Sequence, residues 1–221
     1  MKQIKAKFGT KEVILVCLAT ALYLGAEWLQ QSLVAYGIVG ADSYNYFKLR
    51  VLAITLSATV QGPIVGLLVA IGGTLLANEI FYGYISGAEI VAYVVNAIVI
   101  GYYSDRLRVL KGGFGRKEIL DFNVIQIVTN IFCSLMFSPL FLFITEGMNL
   151  GLAVNTGSKS AIGNVLGIGV LGTLILMIIS KVINIRHPEL SLQDDAPKKV
   201  VGDIKPIEFD ERVRTMYKER L

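Results

Sequence analysis

The chain has 221 residues, of which 54% are hydrophobic and 17% charged, whereas an average soluble domain carries about 25% charged residues. This composition excludes an ordinary soluble domain and indicates a protein that crosses a membrane several times. The net charge of +4 then indicates basic cytoplasmic loops rather than a nucleic-acid-binding surface.

Six apolar segments follow one another along the chain, and several approach the roughly 20 residues that cross a bilayer. They cover 12–31, 49–62, 63–81, 86–104, 119–145 and 160–185. The second and third are joined at Gln61-Gly62-Pro63, where proline is tolerated in the first turn of a helix. The sequence therefore predicts an all-α membrane protein with six transmembrane helices and a sharp turn before Pro63.

Basic residues are distributed unevenly between the two predicted sides of the membrane. The start of the chain is rich in lysine, and the segment 105–118 holds five basic residues, whereas 32–48, 82–85 and 146–159 together hold only Lys48 and Lys159. By the positive-inside rule, both termini and 105–118 lie in the cytoplasm. We expect a cytoplasmic N-terminus over 1–11, a membrane domain over 12–186 and a charged cytoplasmic tail over 187–221.

The first segment places Cys17, Ala21 and Gly25 four residues apart. Small residues at this spacing form a flat helical stripe that a second helix can approach closely. The stripe either packs inside the protein's own bundle or forms a docking face for another membrane subunit. Spacing alone leaves both interpretations open.

Amide side chains recur inside the predicted spans, at Asn78, Asn96, Gln126, Asn130 and Asn164. An unpaired amide in hydrocarbon is costly, so these side chains should turn toward the bundle interior. They either bond one helix to another or line a pocket. Several lie near the predicted outer ends of their helices, which favours a shared pocket there.

The outer segment GADSYNYFKLR, 40–50, interleaves aromatic residues with polar ones and with the cations Lys48 and Arg50. Aromatic residues at this depth also form the ordinary interfacial belt, but the interleaving favours stacking on a flat ring whose edge is hydrogen-bonded. The two cations could meet a carboxylate or a phosphate. The predicted substrate-binding residues are Trp28, Tyr44, Tyr46, Arg50, Asn78, Glu79, Tyr82, Asn96, Asn130 and Asn164.

The sequence carries no catalytic constellation. Its one histidine, His187, is in the tail, and no phosphate-binding Gly-x-x-x-x-Gly-Lys-Ser/Thr motif is present. We therefore expect a protein that is not an enzyme and that holds no cofactor or metal. Any active transport would draw its energy from another subunit.

Several stretches resemble one family of transport proteins. Gly-Pro-Ile-Val-Gly at 62–66, KGGFGRKEILDFNVIQIVTN at 111–130, FSPLF around Pro139 and IGNVLGIGVLGTLIL at 162–176 are similar to the substrate-binding S components of energy-coupling factor (ECF) transporters. The likeness is closest to the riboflavin-type S components and covers about 10–185.

This resemblance implies a compact six-helix bundle in the plasma membrane of a prokaryote. It would bind a vitamin or vitamin precursor from outside, dock on a transmembrane coupling subunit that carries two ATPases, and tip in the membrane to deliver the ligand. Cys17, Ala21 and Gly25 match the family's docking stripe. Riboflavin, a pyrimidine precursor of thiamine and cobalamin are all candidate ligands.

Two other classes remain open at this stage. One is an autonomous secondary transporter or channel for a small organic solute, with Glu27, Glu79 and Glu89 as its candidate ionisable groups. The other is a membrane scaffold without a ligand.

Overall fold

A computed structural model describes residues 9–40 and 46–187, and this part of the chain is all-helical, as the composition predicts. The helices are α1 (Thr10–Ala35), α2 (Leu49–Gln61), α3 (Pro63–Tyr82), α4 (Gly87–Tyr102), α5 (Ser104–Leu107), α6 (Arg116–Glu146) and α7 (Leu150–Arg186). The expectations for the N-terminus over 1–8, for Tyr44 and for the tail beyond His187 lie outside the described residues.

Four of these helices, α1, α3, α6 and α7, are long and apolar enough to cross a membrane. A fifth span results if α4 and the segment Ser104–Lys111, bent by 52°, are taken together. Helix α2 has only 13 residues, and at about 1.5 Å per residue it is shorter than the ~30 Å hydrocarbon core. Six complete crossings are therefore not confirmed, and the cytoplasmic position of both termini stays a prediction.

Helix α7 begins ten residues earlier than the predicted sixth span, because the polar segment before residue 160 is helical rather than an outer loop. The side chain of Asn149 accepts hydrogen bonds from the backbone N–H groups of Gly151 and Leu152 and so caps the helix. The predicted loop over 146–159 is wrong for most of its length. The segment contains serine, threonine and lysine residues, a composition typical of a loop, yet from residue 150 onward it forms a continuous helix.

The α2–α3 hairpin is packed closely because glycine occupies the contact points. Gly62 adopts a φ of 87°, which favours glycine, and Pro63 begins α3. A Cβ at Gly66 would lie 2.7 Å from the Cβ of Ala58, and a Cβ at Gly101 of α4 would lie 2.5 Å from the Cα of Pro63. The glycines therefore bring α2, α3 and α4 into backbone-level contact.

Gly101→Ala should lower the thermal unfolding midpoint of the purified protein. The added methyl group would meet the backbone of the turn, which cannot move aside, and overpacking of this kind typically costs about 1–3 kcal/mol. Gly72→Ala is the matched control, because a Cβ there has nothing within 4 Å and alanine favours the helix. Equal midpoints for the two variants would contradict the packing described for the hairpin.

Helix α1 presents two different faces. Its buried residues are Ala19, Tyr23, Glu27 and Gln30, and the hydroxyl group of Tyr23 lies 3.1 Å from Thr74 Oγ1 on α3. This face places Glu27 and Gln30 inside the bundle, in the C-terminal half of α1. The opposite face is exposed.

Candidate functional site

A cavity of about 220 Å³ lies between α4, α6 and α7, at the end of the bundle that charge distribution predicts to be outside. Most of its polar wall consists of amide and hydroxyl groups. The polar lining residues are Lys48, Tyr84, Ser86, Glu89, Tyr93, Asn96, Asn130, Ser134, Ser138, Glu146, Thr156, Ser160 and Asn164. Such a set of donors and acceptors suits a small polar molecule.

A chain of amide hydrogen bonds crosses the bundle beside the cavity. Thr55 Oγ1 donates to Asn96 Oδ1 at 3.3 Å, and Asn96 Nδ2 donates to Asn130 Oδ1 at 3.2 Å. Asn130 Nδ2 donates to the backbone oxygen of Gln126, and Gln126 Nε2 donates to the backbone oxygen of Val165. The amides therefore bond helix to helix, while Asn96 and Asn130 also line the cavity.

The segment 46–48, which precedes α2, is held in place by hydrogen bonds with side chains of α1 and α7. Gln30 Nε2 donates to the backbone oxygen of Phe47 at 2.6 Å, and its Oε1 accepts from the backbone N–H of Leu49 at 2.7 Å. Asn164 Oδ1 accepts from the backbone N–H of Lys48 at 3.3 Å. These bonds place the side chain of Lys48 in the cavity wall.

Two glycines on α7 let this segment approach the helix. A Cβ at Gly163 would lie 1.9 Å from the backbone oxygen of Tyr46, and one at Gly167 would lie 2.2 Å from the ring of Phe47. No larger residue fits at either position without displacing the segment.

Four charged residues form a cluster at the cavity, where Lys48 and Glu89 line the wall and Glu27 and Arg50 lie behind it. The guanidinium of Arg50 is buried and lies 2.7 Å from Glu89 Oε1 through Nη2 and 3.4 Å from Glu27 Oε2 through Nε. Lys48 also pairs with Glu89. The cluster thus joins α1, α2 and α4, with two cations balanced by two carboxylates.

Neighbouring side chains complete the surroundings of Arg50. Its guanidinium carbon lies 5.6 Å from the ring centre of Tyr82 and 5.5 Å from that of Tyr93, within range of cation–π attraction. Its Nη1 donates to Asn78 Oδ1 at 3.2 Å, and the hydroxyl group of Tyr82 donates to Glu27. These contacts supply part of the hydrogen bonding that a buried charge needs, while Glu27 Oε2, Arg50 Nε and Asn78 Nδ2 are buried without a hydrogen-bond partner among the described residues.

Apart from Tyr44, which lies outside the described residues, the predicted substrate-binding residues fall into three groups. Asn96, Asn130 and Asn164 line the cavity. Arg50 belongs to the charged cluster beside it, and Asn78 and Tyr82 are hydrogen-bonded to members of that cluster. Trp28, Tyr46 and Glu79 are exposed and do not line this cavity, so the structure does not bring them to the same site.

Several cavity residues were not among the predicted substrate-binding residues, including Tyr93, Ser134 and Glu146; Glu89 was named only as a candidate ionisable group. Thr156 and Ser160 were also missed, although with Asn164 they recur every four residues and therefore share one face of α7. Reading 146–159 as a helix would have found them. Within the described part of the chain, no three His, Cys, Asp or Glu side chains could hold a metal ion.

The stripe of small residues lies on the exposed face of α1. Cys17, Ala21 and Gly25 are all exposed, and a Cβ at Gly25 would have nothing within 4 Å. The stripe therefore does not pack inside the bundle.

Comparison with known proteins gives one family. The model of the family described as "ECF-type riboflavin transporter, S component" matches residues 7–181. The chain is 34% identical over 125 residues to a "UPF0397 protein" of Lactobacillus gasseri, and this alignment spans 56% of the chain and 66% of the relative. The "UPF0397 protein SAB2561c" of Staphylococcus aureus is 24% identical over 123 residues, which is 56% of the chain and 67% of the relative. No solved structure matches.

Proposed function

Because the chain belongs to the ECF-type riboflavin transporter S component family, we propose that it captures a vitamin or vitamin precursor outside the cell and delivers it to a coupling subunit that carries two ATPases. The observation that carries this proposal is the cavity between α4, α6 and α7. Its wall combines amides and hydroxyls with the aromatic rings of Tyr84 and Tyr93, so a small organic molecule would find many hydrogen-bonding groups there, more than in a common, mostly apolar ligand pocket.

The position of the cavity supports capture from outside. It lies near the segments 84–86 and 146–148, at the opposite end of α4 from the basic segment 105–118 that we assign to the cytoplasm. In this proposal the protein sits in the plasma membrane of a prokaryote with both termini in the cytoplasm.

The exposed face of α1 supports docking. Cys17, Ala21 and Gly25 leave a shallow, side-chain-poor strip that a helix of the coupling subunit can approach closely. Internal packing, the other interpretation of this stripe, receives no support from its exposure.

Asn164→Ala should weaken ligand binding by about tenfold or more. The substitution removes a cavity amide and leaves the N–H of Lys48 without its acceptor, and losses of this kind cost about 1–3 kcal/mol. Calorimetric titration of the purified protein measures the change. Asn123→Ala is the matched control, because this amide bonds to Ile119 and Thr173 and lies outside the cavity wall. Equal loss in both variants would argue against the cavity as the binding site.

Mass spectrometry of the molecule that remains bound after purification in mild detergent tests the proposed function most directly. A vitamin or vitamin precursor, together with co-purifying ATPase subunits, supports it. A preparation that binds none of these molecules and recovers no ATPase contradicts it.

A second candidate, an autonomous secondary transporter, is favoured by the buried cluster of Glu27, Arg50 and Glu89, since ionisable groups inside a membrane often mark a transport pathway. Purified protein reconstituted alone in liposomes distinguishes the two. Ligand accumulation driven by an ion gradient would identify the secondary transporter, whereas uptake that requires ATP and the coupling subunit supports the proposed function.

A further inference from the structure

The cations of the site are already neutralised within the protein. Both Lys48 and Arg50 pair with Glu89, and Arg50 also pairs with Glu27. Two positive and two negative charges leave the cluster neutral. The sequence suggested that these cations could meet a carboxylate or a phosphate of the ligand. Such a contact would require the ligand to displace the carboxylate of Glu89 or Glu27, and the displaced carboxylate would remain close to the incoming anion.

Glu146 adds a further negative charge at the cavity wall. Its carboxylate accepts a hydrogen bond from Ser86 at 3.4 Å, and no cation in the described residues lies within ion-pair distance of it. Lys159 is close by in sequence to the cavity residues of α7, but its ammonium lies over the ring of Tyr46, 5.9 Å from the ring centre. The charged groups that line the cavity are thus Lys48, Glu89 and Glu146, with one negative charge in excess.

The remaining polar side chains of the cavity wall are uncharged and offer both hydrogen-bond donors and acceptors to a ligand. An asparagine amide offers two N–H donors and an oxygen with two lone pairs. Asn96 uses one N–H on Asn130, and Asn164 uses one on Ser160, so each retains capacity for a ligand. Adjacent ring nitrogens and amino groups on a heterocycle match such an amide in a bidentate arrangement, as in adenine recognition.

The volume of the cavity limits the size of the ligand. At about 220 Å³ it holds the equivalent of roughly seven waters, taking about 30 Å³ for each, and it is smaller than the ~300–1,000 Å³ of common ligand pockets. This size suits one or two small rings with short substituents and excludes a ligand as large as cobalamin from full enclosure.

We infer that the ligand is a compact nitrogen heterocycle that is neutral or positively charged, and that the carboxylates Glu89 and Glu146 select against its phosphorylated or carboxylated forms. This inference rests on the proposed function and narrows its substrate class. Glu89 acts here by neutralising Lys48 and Arg50, and Glu146 acts by repelling an anion at the cavity wall.

Matched pairs of probes that differ by a phosphate test the inference. Purified protein, freed of bound ligand, is titrated with riboflavin and riboflavin phosphate, with thiamine and thiamine monophosphate, with the aminopyrimidine alcohol precursor of thiamine and its phosphate ester, and with cyanocobalamin. In each pair that binds, the phosphorylated member should be weaker by about tenfold or more, since the carboxylates of the half-buried Glu89 and the exposed Glu146 oppose a bound phosphate. Cyanocobalamin should bind more weakly than the best-bound smaller probe, because the cavity cannot enclose it fully.

Charge-neutral variants locate the source of the selectivity. Glu146→Gln should reduce the difference in affinity between the unphosphorylated and the phosphorylated probe. Glu89→Gln should reduce this difference further, because it frees Lys48 and Arg50 from their ion pairs with Glu89. Asp121→Asn, at the far end of α6 and outside the cavity wall, is the control and should leave the difference unchanged. If Glu89→Gln does not fold, the affinities of each pair of probes for the unmodified protein and for Glu146→Gln still test the charge inference.

Each outcome has a separate meaning. A phosphorylated probe that binds as well as its partner, or selectivity that survives both substitutions, overturns the charge inference and leaves the proposed function standing. A folded protein that binds none of the probes, phosphorylated or not, and retains no small molecule overturns both.

Discussion

Arg50→Met should lower the free energy of unfolding by about 3–5 kcal/mol, the usual effect of removing one partner from a buried ion pair. The substitution leaves Glu27 buried with its charge and without a cation, and it leaves Glu89 with Lys48 alone. It also removes the donor that Asn78 accepts from and the cation between two tyrosine rings. Thermal unfolding in detergent, followed by circular dichroism, measures the loss.

A second substitution separates the charge effect from the loss of packing. In Arg50→Met combined with Glu27→Gln, the pair formed by Lys48 and Glu89 remains and no unpaired charge is buried. This double variant should recover most of the lost stability, because a neutral amide replaces the stranded carboxylate. Arg106→Met, at an exposed arginine, is the surface control. If Arg50→Met is as stable as the unmodified protein, the cluster does not hold α1, α2 and α4 together.

Ala21→Trp should abolish vitamin uptake while ligand binding by the isolated subunit stays nearly unchanged. A bulky side chain in a stripe of small residues holds two helices apart and removes their close contacts. Ala21 is exposed and lies on the opposite face of α1 from Glu27 and Gln30, so the cavity should be undisturbed. Uptake in cells and ligand affinity in detergent are measured on the same variant, together with recovery of the coupling subunit.

Val128→Trp provides the control for this experiment, because Val128 is an exposed apolar residue on α6, away from the stripe. It should leave uptake and binding close to those of the unmodified protein. Loss of folding and of ligand binding in Ala21→Trp would refute the docking assignment and favour packing within the bundle.

Much of the fold could be predicted from hydrophobic periodicity and turn chemistry. The turn before Pro63 is where it was expected, and α6 covers the predicted span 119–145 almost without change. The beginning of α7 could not be predicted in this way. Its first turns carry Asn155, Thr156, Ser158 and Ser160, and a polar composition distinguishes poorly between a loop and a helix that faces a cavity.

The site could be predicted only in part, for a related reason. Amides in hydrocarbon must turn inward, and Asn96, Asn130 and Asn164 line the cavity, whereas their role as substrate-binding residues stays a prediction. Which charged groups meet in space depends on packing between helices far apart in sequence. Glu89 therefore could not be recognised as the partner of both Lys48 and Arg50 before the bundle was known.

The short helix α2 and its tight turn also bear on how the chain is inserted during synthesis. An arginine opposes the partition of an isolated apolar helix from the translocon into lipid, and α2 is both short and led by Arg50. Because only Gly62 separates α2 from the much more apolar α3, we expect the two to insert as one hairpin, with α3 carrying α2 into the bilayer. Glu27 precedes this hairpin and Glu89 follows it. The order of the chain thus supplies one carboxylate before the arginine arrives and the second when α4 enters.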